Sequence, residues 1–119
     1  DKEATCSLQD SDKSEFWKIA VCKIKYADMI FKVEDGLNIA ELEGDVIIKV
    51  KENSFRYPFS KTSIKYTDDE LKAKYSEELQ LRAGIPKNHN DDDYTFLVEI
   101  RDTKSGIVYE VKQPESEKK

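Results

Sequence analysis

Apolar residues recur at every second position along much of this chain. In 94–101, Tyr94, Phe96, Val98 and Ile100 alternate with Thr95, Leu97, Glu99 and Arg101. In 107–112, Ile107, Tyr109 and Val111 alternate with Val108, Glu110 and Lys112. Side chains on a strand point to opposite faces in turn, so each stretch predicts a strand with one buried face. The link DTKSG has turn chemistry, with Gly106 free to take a positive φ, and the two strands read as a hairpin. Upstream, Val46, Ile48 and Val50 share one face of a further strand, and TSIKYT at 62–67 gives a shorter one. Residues 16–33 fit two periods. As a helix they gather Phe16, Ile19, Ala20, Ala27, Ile30 and Phe31. As strand they put Trp17, Ile19 and Val21, then Ala27, Met29, Phe31 and Val33, on one face, with Cys22, Ile24, Tyr26 and Ile30 on the other. Their β-branched and aromatic content favours one long bent strand or two consecutive ones, and EDG at 34–36 reads as a turn.

One segment carries helix signals. In 66–86, Thr67 and Glu70 are spaced as a capping box, and Asp68 and Asp69 sit where the helix dipole favours negative charge. Leu71, Tyr75, Leu79 and Ala83 recur every four residues, Gly84 fits a left-handed cap, and Pro86 stops continuation. The pattern predicts a helix over 68–83. The expected fold is therefore α+β: a curved antiparallel sheet in the order β-β-β-α-β-β with one main helix packed on one face. The alternative is a β-sandwich with one helix in a crossover.

The chain has 119 residues, enough for one domain with a real core. We expect a polar N-terminal arm at 1–15, a globular domain at 16–113, and a solvated tail at 114–119, opened by Pro114. The first residue is Asp1, which leaves two readings: a removed leader peptide, or a trimmed chain. The net charge of −5 and interspersed lysines argue against nucleic acid and anionic membranes as partners. No apolar run is long enough for membrane insertion as a helix. Two cysteines, Cys6 and Cys22, lack metal-ligand spacing and permit one disulfide; the alternative is two free thiols, with Cys22 buried.

Candidate chemistry is sparse. KNHNDDDYTF at 87–96 holds the sole histidine, His89, and three aspartates. It lacks the alternating acids, central glycine and final glutamate of an EF-hand, so it reads as a polar loop; a calcium site on Asn88, Asp91 and Asp93 is the alternative. A triad would need His89, on a polar loop poorly suited to preorganise a base, and zinc would need Cys6, Cys22, His89 and a carboxylate to converge. Glu41, Glu43 and Asp45 alternate and would share one strand face, more often a wet face than a catalytic one. Gly44 between them suggests a bend or bulge. We expect no enzyme activity and no cofactor.

SFRYPF at 54–59 spaces Phe55, Tyr57 and Phe59 on one side, with Arg56, Lys51 and Lys61 nearby. Pro58 marks a sheet edge or loop. Aromatic rings and arginine supply much of the energy at interfaces, so Phe55, Arg56, Tyr57 and Phe59 are the expected partner contacts. The other expectation is that the rings close the core. The function expected is a non-catalytic interaction domain that binds a protein partner, secreted, periplasmic or displayed on the cell surface. The alternatives are a cytoplasmic inhibitor or immunity-type protein, and a small-ligand or carbohydrate binder using Tyr57, Trp17 and the aspartate loop.

Overall fold

The computed structural model describes residues 3–12, 15–87 and 93–111. Its strands are β1 (Glu3–Asp10), β2 (Phe16–Lys25), β3 (Lys32–Glu34), β4 (Leu37–Val50), β5 (Asn53–Pro58), β6 (Thr62–Tyr66), β7 (Glu78–Pro86), β8 (Thr95–Asp102) and β9 (Val108–Val111). A 3-10 turn at Tyr26–Asp28 follows β2, and a six-residue helix, α1 (Asp68–Ala73), lies between β6 and β7. All nine strands belong to one sheet curled into a half-barrel, in the order β3-β4-β8-β9-β1-β2-β7. Among the described residues only the β1–β9 pair is parallel. The long β4 is the spine. One of its edges takes β3 and then β8; the other takes β6 and then β5.

The helix expected over 68–83 is overturned, and with it the α+β fold and the sandwich alternative. Its start is as read: Thr67 Oγ1 accepts from the Glu70 N–H at 3.2 Å, and the Glu70 carboxylate accepts from the Thr67 N–H at 2.9 Å. The helix ends at Ala73, and from Glu78 the chain runs nine residues antiparallel to β2. Leu79, Leu81, Ala83 and Ile85 turn inward while Glu78, Gln80 and Arg82 are exposed. The stripe at spacing four misled because residues four apart share a face on a strand as well as on a helix. Gly84 caps nothing. It lies in β7 beneath the Phe16 ring, and Pro86 is the last residue of the strand, opposite Phe16.

Residues 3–10, read as part of a polar arm, are a strand inside the sheet. Ala4, Cys6 and Leu8 are buried, and the polar residues between them face outward. Residues 16–33 resolve into β2, the 3-10 turn and β3, in line with two consecutive strands. The hairpin of β8 and β9 forms as read, with Gly106 at φ 79°. The tail at 114–119 lies outside the described residues. The core fills the concave face: Leu8, Ile24, Leu42, Ile48, Ile85, Ile100 and Tyr109 are all essentially inaccessible.

Gly44 neither bulges nor breaks the β4–β8 register, which runs unbroken from Leu42 to Lys49. A side chain there would put Cβ 2.0 Å from the Glu99 carbonyl oxygen, so the glycine is required by close backbone approach. On the opposite edge this is where pairing passes from β6 to β5, and the Phe59 N–H bridges the gap by donating to the Gly44 carbonyl at 2.9 Å.

Candidate functional site

β5 carries the residues expected to contact a partner. Phe55 stands opposite Ile48 and Tyr57 opposite Val46, so both rings face the core side, where they are half-buried. Phe59 is buried at 5% exposure. The three rings therefore do not form the exposed patch expected of them. Arg56 points to the other face, where it binds Asp45 at 3.1 Å and Glu99 at 3.2 Å; hydrogen bonding to Glu99 is the main cause of its raised pKa. Lys61 lies 3.9 Å from Glu43. The rim read as free positive charge is thus largely matched by carboxylates.

Glu41, Glu43 and Asp45 do share the outer face of β4. Each has its own partner: Thr103 Oγ1 donates to Glu41 at 2.8 Å, Arg101 pairs with Glu43 at 2.9 Å, and Asp45 holds Arg56. This supports a solvated, charge-matched face rather than a poised acid–base pair. The hydrogen bond from Thr103 holds the Glu41 carboxyl below its ordinary range, aided by Lys61 and Lys104 and opposed by burial. A depressed carboxylate contributes stability above its unfolded pKa and loses it as pH falls through the folded one. Acidifying from neutral to about pH 3 should therefore lower the melting midpoint less in Thr103→Val than in the wild type. Parallel acid profiles of the two proteins would show that this contact does not carry the shift.

Of the calcium alternative, Asn88 and Asp91 lie outside the described residues, as does His89; Asp93 is exposed. Among the described residues no three His, Cys, Asp or Glu side chains are grouped to hold a metal. Cys6 and Cys22 stand opposite one another in the β1–β2 ladder and form a disulfide, with Cα atoms 4.1 Å apart. Trp17 is half-buried and meets the Tyr94 ring edge-on at 5.0 Å. Beside it Lys18, buried near one end of the half-barrel, binds Asp10 at 2.6 Å.

Two features were not legible in the sequence. The first is the open edge of β7, which among the described residues pairs with β2 alone. The short Cα separation marks Cys6–Cys22 as a non-hydrogen-bonded pair, so the backbone groups of Cys22 turn toward Leu81. Leu81 then faces β2, and its neighbours Gln80 and Arg82 aim their N–H and C=O groups away from the sheet. The second is a hollow of about 400 Å³ on the convex face of β1, β2 and β7. Gln9, Asp10, Asp12, Phe16, Ile19 and Arg82 line it. These residues are spread over more than seventy positions in sequence, and only the strand register gathers them. The chain matches no known protein family, no characterised protein sequence and no solved structure. No described helix is long and apolar enough to cross a membrane.

Proposed function

We propose that this chain is a non-catalytic interaction domain that binds an extended segment of a protein partner along the open edge of β7. One observation carries the reading: among the described residues the outward N–H and C=O groups of Gln80 and Arg82 enter no ladder with another strand, although β5 passes close to β7. Such an edge is a template for strand addition, with backbone bonds giving affinity and flanking side chains giving specificity. The charge-matched outer face of β4 offers no comparable unsatisfied surface. The disulfide supports an oxidising compartment, in keeping with a secreted, periplasmic or surface-displayed protein.

Gln80→Pro tests the reading. It removes an outward N–H that makes no ladder bond, a substitution edge strands tolerate. Cross-linked capture from the source organism's extracts and culture medium should yield a partner with the wild type. It should lose that partner with Gln80→Pro at a nearly unchanged melting temperature. Equal capture by both would move the contact off β7, and no capture by either would remove protein binding as the function.

A further inference from the structure

We infer that the hollow on the convex face of β1, β2 and β7 binds a carboxylate-bearing sugar, a uronic-acid unit of a polysaccharide. This inference stands independently of strand addition at β7. The floor of the hollow is apolar. A Cβ at Gly84 would lie 2.5–2.8 Å from three atoms of the Phe16 ring, so the ring rests directly on the β7 backbone. The ring and Ile19 both line the hollow. An aromatic face of this kind takes the C–H face of a pyranose, whose hydrogens carry partial positive charge against the negative π face.

The rim is made of planar polar groups. Gln9 offers an amide that both donates and accepts, and Asp10 and Asp12 offer carboxylate acceptors. Sugar hydroxyls donate and accept at once, so they suit such a mixed rim. Asp10 is held in place by its 2.6 Å contact with Lys18, which fixes one acceptor before any ligand arrives.

Arg82 supplies the charge selection. Of the three arginines, Arg56 and Arg101 each bind carboxylates. Among the described residues Arg82 is within ion-pair distance of none, and its guanidinium donates to the Gln80 amide oxygen at 3.3 Å. A guanidinium held beside an apolar floor matches the planar carboxylate of a uronic acid, which it can bind through two parallel hydrogen bonds. The aspartates on the same rim oppose any anion, and a doubly charged phosphate more than a singly charged carboxylate. The volume is that of a small-molecule site, with room for more than a single sugar ring.

The test is titration of the full chain, followed by amide NMR and calorimetry, with digalacturonate and diglucuronate. Galactobiose serves as the neutral analogue, phenylalanine as a zwitterion and inorganic phosphate as a bare anion. A uronate should shift the resonances of Gln9, Ile19 and Arg82. Its affinity should fall about tenfold or more for galactobiose, and likewise for the uronate on Arg82→Gln. Phe16→Leu should weaken acidic and neutral sugars alike, and Arg82→Gln should melt with the wild type because Arg82 is exposed. The inference is overturned if millimolar uronate leaves these resonances in place, or if galactobiose binds as well as the acid. It is equally overturned if phosphate or phenylalanine matches the uronates, since the hollow would then be a plain anion site or an amino-acid site.

Discussion

Removing the Cys6–Cys22 link is expected to cost about 3 kcal/mol of stability, because it closes a loop of 16 residues in the unfolded chain. The effect should be larger than that of a peripheral staple. β1 joins the two parts of the sheet: on one side it pairs with β2 over six residues, and on the other, among the described residues, it meets β9 through two parallel pairs, Glu3 with Glu110 and Ala4 with Val111. The disulfide lies within the stronger of these seams, with both sulfurs in the core. Urea unfolding of a Cys6→Ala, Cys22→Ala variant should show the loss. Reductant should bring the wild type to the variant's midpoint and leave the variant itself unmoved. A wild type indifferent to reductant would show that the bridge contributes nothing. The link also bears on the hollow, since Gln9 and Asp10 close β1 just beyond it, and the variant should bind a uronate more weakly at temperatures where it remains folded.

Most strands were legible because their inward residues alternate without interruption, as Phe96, Val98 and Ile100 do. β1 was not, since Ala4, Cys6 and Leu8 are small or few and stand among charged residues that dominate a short window. In 78–83 the residues are helix formers by intrinsic preference, and the ladder to β2 overrides it. The alternation of Leu79, Leu81, Ala83 and Ile85 marks a strand, but a capping box and a spacing of four pointed elsewhere. Aromatic spacing at Phe55, Tyr57 and Phe59 told correctly which rings share a side, but not which side faced the core. That is decided by register with β4, a pairing between segments rather than a property of either. The same limit hid the hollow. Phe16 and Gly84 are 68 positions apart, and nothing local marks that one rests on the other.

Replacing Asp102 by alanine is expected to be the most damaging polar substitution, at about 3–5 kcal/mol, from two part-buried N–H groups left without acceptors and the void in place of a fully buried carboxylate. Asp102 is 1% exposed. One of its carboxylate oxygens accepts from the Glu41 N–H and the Lys104 N–H, both at 2.9 Å, and the other accepts from the Ser105 hydroxyl at 2.8 Å. The Glu41 contact fills a gap. Along this edge of β4 the ladder to β3 ends at Ile39 and the ladder to β8 begins at Leu42, so neither strand serves Glu41. The Asp102 side chain takes its N–H, and the Thr103 N–H donates to its carbonyl at 2.9 Å. The same carboxylate orders the turn into β9, which connects β8 to β1. Loss of Asp102 therefore loosens the spine and the link between the two parts of the sheet together. Asp102→Asn separates hydrogen bonding from charge. Its carbonyl oxygen can keep both backbone N–H groups while its amide donates to Ser105, so it should cost only about 1–2 kcal/mol. Equal losses for alanine and asparagine, measured by urea unfolding, would assign the effect to the negative charge and not to the backbone groups it satisfies.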